Sequence, residues 1–496
     1  MLMELGQYRT HEGSVGRVNL CVHGHFYQPP RENPFTGISI ETGAAPYINF
    51  NERITTECYR PNAEVGNFDK MSFDMGPTLA SWLEKAHPDV YQRIIQADYA
   101  HVRKYGVGNA LAQAYNHTIL PLASMRDQRT QILWGLRDFR QRFGRKARGM
   151  WLAETAVDLV TLDILAQEGI EYTILAPWQA MGPIDPAEPY LVRLPGQRSI
   201  TVFFYNDLSG PLSYCDEWTD DANKFASSYQ RFYVRETDRP QMHVIATDGE
   251  LYGHHKPWRD KFLAHLLQRS APAYGLEVCS LERYLHEYPA SREVELRGPS
   301  SWSCYHGVDR WKHGCDCTEG ESAWKGPFRQ ALVNLQGQMD ALFEEYASET
   351  LADPWAARND YLALRAGWET PESFWEYHGK QRRPPQDIPS TLRAVQLLEA
   401  QFYLQYSFTS CGFFFEDLDR IEPQNNIAFA RRAISLVWQA LGIDLQHDFL
   451  ADLSATKSWR TGVTGTDMYH RLPAVPSGFL APFVLERRKD YNLRAC

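Results

Sequence analysis

Val18–Asn33 reads VNLCVHGHFYQPPREN, a short apolar run that stops abruptly at histidine, glutamine, proline and charge. The same pattern returns along the chain. Gly149–Leu152 (GMWL) is followed at once by AET and His243–Ala246 (HVIA) by TDGELYGHH, with further apolar runs at Tyr172–Leu175 (YTIL) and Ile200–Tyr205 (ITVFFY). Such runs predict strands. Gln128–Phe143, Val157–Glu168, Arg259–Gln268 and Leu281–Tyr288 carry helical spacing instead. Alternating strands and helices predict an α/β fold with a parallel sheet, either a barrel or an open doubly wound sheet. In both, active sites lie at the carboxyl ends of the strands, where HGHFYQPP, AET and TDGELYGHH fall.

Beyond residue 320 the texture changes. Ala323–Tyr346, Pro354–Gly367, Ser390–Gln405, Asn426–Leu441 and His447–Leu453 read as helices, broken by loops such as GKQRRPPQDIPS. This predicts a catalytic domain over residues 1–318 and a helical bundle over 319–496 that helps close the cleft. No internal repeat is evident. The ending KDYNLRAC carries no helix stop, as a chain that continues further would.

Of 496 residues, 44% are hydrophobic and 23% charged, the profile of a globular protein with a large core. A net charge of -10 argues against a nucleic-acid binder, which needs a basic face. No apolar run is long enough to span a membrane. The start, MLMELGQYRTHEGSVGRVNL, lacks the basic end and apolar core of a secretory signal. Nine scattered cysteines fit a reducing compartment, so the expected location is cytoplasmic.

His23 and His25 stand at i and i+2 of a strand end and point to one side, with Gln28, Arg31 and Glu32 following. A His-x-His strand end suits a metal-dependent hydrolase, and equally a hydrogen-bonded structural pair. His117, in NALAQAYNHTILPL (Asn109–Leu122), reads alone as a satisfied core histidine. Glu154 follows a strand beside Trp151 and precedes a helix. It serves either as an N-terminal acid of that helix or as a nucleophile presented to a sugar stacked on the indole. Asp248 and Glu250, with two glycines that allow close approach and with His254 and His255 adjacent, are too many ionisable groups for a purely structural turn. Two carboxylates from different strands suit glycoside hydrolysis, retaining when about 5 to 5.5 Å apart and inverting when about 6.5 to 9.5 Å apart.

The ordered set HGHFYQPPREN, GNALAQAYNHTILPL, GMWLAET and ATDGELYGHH resembles the motifs of glycoside hydrolase family 57. The resemblance implies a distorted (β/α)7 barrel followed by a helical domain, and a retaining mechanism on α-linked glucans without an organic cofactor. It makes Glu154 the nucleophile and Asp248 the general acid/base, and puts His23, His25, His117 and Trp151 at the donor subsite. Asp248 is expected to be held protonated by burial near Glu154. Water as acceptor gives an amylase, and a sugar hydroxyl gives a transferase. The stretch SSWSCYHGVDRWKHGCDC (Ser300–Cys317), with TSCGFFFEDLDRIEP from Thr409, resembles a less characterised branch in which a domain of unknown function follows the barrel.

In that stretch Cys304, His306, His313, Cys315 and Cys317 offer zinc ligands, although the spacing lacks the C-x2-C knuckle. The preferred reading is a metal-free loop lining the cleft, with Trp302 and Trp311 as sugar platforms and Asp309 and Arg310 as hydrogen-bond partners. Phe413–Phe415 either close the site or simply pack. The main rival is a metal-dependent hydrolase or carbohydrate deacetylase built from His23, His25, Asp248 and His254. A protein that only binds glucan has no need of both carboxylates.

Overall fold

The computed structural model describes residues 16–37, 39–385 and 387–472; residues 1–15 and the KDYNLRAC ending lie outside these. Seven strands form the barrel: β1 (Val18–Phe26), β2 (Ser72–Met75), β3 (Ala110–Gln113), β4 (Met150–Trp151), β5 (Tyr172–Leu175), β6 (Ser199–Phe204) and β7 (Gln241–Asp248). β7, β1, β2, β3 and β4 pair in parallel in that order. A parallel bridge, Gly149 to Tyr172, carries the sheet on to β5, which pairs in parallel with β6. The ring closes where the Asn206 N–H, just past β6, donates to the Val244 carbonyl of β7 at 2.6 Å. Two-residue β4 and this single closing bond make the barrel distorted.

Alternation along the strands sorts the side chains. Leu20, Val22, Ala112, Met150, Val202 and Ile245 face outward into the layer under the helices. Cys21, Leu111, Trp151, Ile174, Phe203, Val244 and Ala246 face inward and fill the barrel. Following the inward parity to the strand ends brings His23 and His25, Asp74, Gln113 and Asp248 to the mouth. Register then sets neighbours: His23 lies opposite Ser72, and His25 between Asp74 and Asp248.

The expected strands and helices form within a few residues of their predicted bounds. β2 and β3 were not expected, because SFDM and ALAQ are four residues long and each mixes polar with apolar side chains. A hairpin strand, Tyr190–Arg193, also runs antiparallel to β6 outside the ring. Helix Met125–Phe143 starts at Ser124, whose hydroxyl accepts from the Asp127 N–H, and stops at Gly144 with φ 67°.

The carboxyl-terminal region is helical: Lys325–Ala347, Pro354–Arg365, Pro371–His378, Ile388–Tyr406, Ile421–Leu441 and Gln446–Leu453 are its main helices. It shares apolar core with the barrel, since Ile119, Ala153 and Ala156 pack among its residues. A buried ion pair joins the two parts, Arg358 Nη1 to Asp127 Oδ1 at 2.8 Å, and Arg358 also donates to Gln401 and Thr130. Removing one partner of a buried pair strands the other charge, at a cost of about 3–5 kcal/mol. Arg358→Met and Asp127→Asn are each expected to lower stability by that amount in urea unfolding, and together by less than the sum.

Candidate active site

Glu154 lies in the turn after β4 with φ 58° and ψ 22°, and Thr155 follows with φ 48°. Residues with side chains seldom adopt this left-handed conformation, which costs on the order of 1–3 kcal/mol unless the surroundings impose it. Here a segment from far along the chain imposes it. The Trp302 N–H donates to the Glu154 carbonyl at 3.0 Å, and Val157 and Ser300 exchange backbone hydrogen bonds. Gln179 takes a hydrogen bond from the Thr155 hydroxyl and donates to the Thr155 carbonyl. The carboxylate is gripped on one oxygen: Trp302 Nε1–H and the Ser303 hydroxyl donate to Oε2 at 2.9 and 2.8 Å. Among the described residues nothing hydrogen-bonds Oε1. Burial raises the pKa of Glu154, the Ser303 and Trp302 bonds partly offset this, and the charge of Asp248 adds to it. Glu154 does not cap the next helix. That helix, Leu159–Gln167, is capped by Asp158, which accepts from the Thr161 N–H.

Beneath Glu154 lies a layer of buried rings. His23 Nε2 and His25 Nδ1 both meet the Asp74 carboxylate, at 3.0 and 2.9 Å. His23 Nδ1 meets Ser72 Oγ at 3.2 Å. His25 Nε2 faces His117 Nε2 at 3.0 Å, and His117 Nδ1 reaches Ser410 Oγ at 2.6 Å. Burial disfavours a charged His25. The charge and hydrogen bond of Asp74, helped by Asp248 and Glu250, outweigh it and lift His25 to about 9. Burial and the charge of His25 push His117 well below its usual value. The array is therefore directional: protonated His25 donates to Asp74 and to neutral His117, whose other N–H donates to Ser410.

Asp248 ends β7, and its side chain is exposed. The expected burial is thus absent, because the strand delivers it to the open mouth. The groups that burial does affect are Glu154 and Glu250. Burial raises Glu250 to about 7, against the hydrogen bond from Tyr59 (2.6 Å) and with help from the charge of Asp248. Gln28 Nε2 also donates to Glu250, at 3.3 Å, and Arg31, itself paired with Glu41, donates to Gln28 Oε1.

Other expected residues take different places. Trp151 is fully buried, stacked under His23 and His25 at 5.0 and 4.9 Å, so it supports the rings and presents no face to a sugar. Trp311 is likewise buried, in the helical core, which removes it as a platform. Arg310 lies over the Phe414 ring, Asp309 pairs with His313 at 3.5 Å, and neither contacts the acidic cluster. His254 gives Nδ1 to Glu57 at 2.5 Å. Phe413 is buried packing. Cys304, His306, Cys315 and Cys317 converge, their ligand atoms all within 4.8 Å of one another, without His313.

Asp74, Gln113, Tyr59, Ser303 and Ser410 were missed from sequence. Asp74 carried no clear signal, since its four-residue strand mixes polar with apolar side chains. The serines are brought in by distant segments and carry no local signal.

A parallel barrel with a carboxylate cluster at its carboxyl mouth is the scaffold of a carboxylate glycosidase. The chain belongs to glycosyl hydrolase family 57, whose pattern matches residues 8–297. Residues 321–476 match a domain of unknown function, DUF3536. Alpha-amylase 1 of Dictyoglomus thermophilum is 30% identical over 186 residues, 35% of this chain and 24% of that protein, so the match spans about a quarter of the relative. Among solved structures, an exo-type maltose-forming amylase from Pyrococcus sp. ST04 superposes with TM-score 0.70 at 15% identity, covering 91% of this chain and 88% of that one. A branching enzyme from Pyrococcus horikoshii gives 0.57 at 15% identity, covering 94% and 99%. These likenesses establish a shared fold. No described helix is long and apolar enough to cross a membrane.

A raised histidine stabilises the fold fully below its unfolded pKa and loses that contribution as the pH climbs through its folded value. For His25 the window runs from 6.5 to about 9, and Glu250, raised to about 7, acts in the same direction at its acid edge. The melting temperature should fall across that window, and Asp74→Asn should flatten the fall. A wild-type curve level from pH 7 to 9 contradicts the charge assignment.

Proposed function

We propose that this chain is a retaining glycoside hydrolase or transglycosylase of α-linked glucans, with Glu154 as nucleophile and Asp248 as general acid/base. One observation carries the reading. Glu154 is held by Oε2 alone in an imposed turn, leaving Oε1 free of hydrogen bonds among the described residues, while Asp248 stands exposed at a strand end close enough for its charge to act on it. The names of the family relatives, an alpha-amylase and a maltose-forming amylase among them, supply the substrate class.

In the first step Asp248 gives its proton to the glycosidic oxygen as Glu154 Oε1 attacks the anomeric carbon and the C–O bond breaks. In the second, Asp248 takes a proton from water or a sugar hydroxyl, which displaces Glu154. The hydrogen bonds from Trp302 and Ser303 orient the carboxylate, and His25 sets a positive charge beneath the acidic cluster. Trp302, Tyr205, Trp178 and Tyr305 form a chain of ring contacts at 6.2, 6.0 and 5.9 Å leading outward from Glu154. Trp178 and Tyr305 are 40% and 84% exposed, flat faces suited to sugar rings. We divide the chain, in the same reading, into a catalytic unit through residue 318 and a helical unit from 319, a split supported by the two family matches. A cytoplasmic location is supported by eight described cysteines, all unpaired.

The metal-hydrolase alternative is disfavoured by the histidines. Both nitrogens of His23 and of His25 face protein partners, and His254 is engaged with Glu57.

Leaving-group dependence tests the roles. Glu154→Gln should lose at least about a thousandfold in kcat on both maltooligosaccharides and α-glucosyl fluoride. Asp248→Asn should lose about as much on the oligosaccharides, but on the fluoride, which leaves without a proton, kcat/KM should fall little and the loss should appear in kcat, because the second step still lacks its base. Equal losses in kcat/KM for both variants on both substrates contradict the assignment, and product lengths separate hydrolysis from transfer. Trp178→Ala should raise KM on long maltooligosaccharides by up to about tenfold with kcat nearly unchanged, as loss of one stacked ring predicts. An unchanged KM removes Trp178 from the substrate track.

A further inference from the structure

The segment that grips Glu154 continues directly into the cysteine cluster. Trp302 and Ser303 hold the carboxylate, and Cys304 is the next residue. We propose that Cys304, His306, Cys315 and Cys317 form a tetrahedral zinc site whose structural role is to fix this loop against Glu154.

The donor spacing carries the proposal. Cys304 Sγ lies 3.5 Å from Cys315 Sγ, and Cys317 Sγ lies 3.4 Å from His306 Nδ1. Tetrahedral zinc with Zn–S of about 2.3 Å and Zn–N of about 2.0–2.1 Å sets such atoms roughly 3.8 and 3.6 Å apart. Three thiolates and one imidazole close the coordination shell, as structural zinc sites do. The chain is shaped to bring the two pairs together. Gly307 and Gly314 turn with φ 79° and 90°, and a Cβ at Gly307 would sit 2.6 Å from the Pro299 carbonyl, while one at Gly314 would clash with that of Ser322. His313 turns away, Nε2 towards Asp309 and Nδ1 towards the Gly314 carbonyl.

Charge gives a second, independent argument. Zinc with three thiolates and a neutral imidazole carries one net negative charge. The Lys325 amine is fully buried beside the cluster, where burial lowers its pKa to about 7 and the Cys315 and Cys304 thiols raise it. It donates to Thr318 Oγ1 at 3.0 Å and to the Phe414 carbonyl at 3.4 Å, and among the described residues no carboxylate forms an ion pair with it. Arg310 adds a second cation, donating to the Cys317 carbonyl. An anionic zinc–thiolate centre beside them would supply the counter-charge that keeps the Lys325 amine protonated.

The full chain, purified under reducing conditions without chelator, is analysed for metals by mass spectrometry. One zinc per chain is expected. Cys304→Ser and Cys317→Ser should lose it, and His313→Ala and Cys215→Ser should keep it. Refolding with cobalt should give the intense visible bands of a tetrahedral thiolate site, which reports the ligands even where a serine variant folds poorly. Glu154→Gln should still hold one zinc, so this result stands apart from the proposed catalytic role. Neither zinc nor cobalt binding, bound iron, a Cys304–Cys315 disulfide under these conditions, or zinc retained by both serine variants would overturn the proposal. If the metal fixes the grip on Glu154, removing it should lower kcat on maltooligosaccharides about 10- to 100-fold with KM little changed.

Discussion

The carboxylate of Asp74 is the charge around which the barrel mouth is organised. It is completely buried and takes contacts from His23 Nε2, His25 Nδ1 and Gln113 Nε2. Burying an ion costs several kcal/mol unless its oxygens are all answered, and here strand neighbours answer them. Burial alone would raise its pKa, but the charge of His25 and the two histidine bonds hold it low. Everything above follows from that charge. It keeps His25 protonated, His25 forces His117 to stay neutral, and the ring layer they make with Trp151 forms the floor under Glu154.

The helical region completes this floor from the other side. Ser410 Oγ accepts from the His117 Nδ1–H, and the Ser410 N–H donates to the His117 carbonyl, so the left-handed His117 (φ 52°) is held by a residue nearly three hundred positions away. The segment around 300–303 does the same for Glu154. The strained residues at the site, His117, Glu154 and Thr155, are thus positioned by later parts of the chain, which explains why a barrel alone does not contain the whole constellation. Strain at such positions persists only where the surroundings over-determine it.

Much of this was legible in the sequence, and the reasons are local. VNLCV, YTIL and ITVFFY are apolar enough to declare themselves strands, and the polar groups behind VNLCV, GMWL and HVIA mark the carboxyl mouth. The parity of His23 and His25 then follows from strand geometry. The four-residue strands carrying Asp74 and Gln113 did not declare themselves, because SFDM and ALAQ mix polar with apolar side chains where equally short YTIL is built from aromatic, β-branched and apolar residues. Composition also misled at Trp151 and Trp311, where an indole beside an acid or in an aromatic loop suggested a sugar platform and burial placed both in packing. The exposed rings proposed as platforms, Trp178 and Tyr305, come from two separate segments and acquire meaning only when the fold brings them within 5.9 Å.

The central claim is that Glu154 attacks carbon. Incubating the Asp248→Asn variant with a 5-fluoro-α-glucosyl fluoride, then measuring intact mass and sequencing the labelled peptide, tests it most directly. A covalent glycosyl adduct on Glu154 is the expected result. An adduct on Glu250 or another residue, or turnover of the reagent by direct displacement with the products inverted, would contradict it.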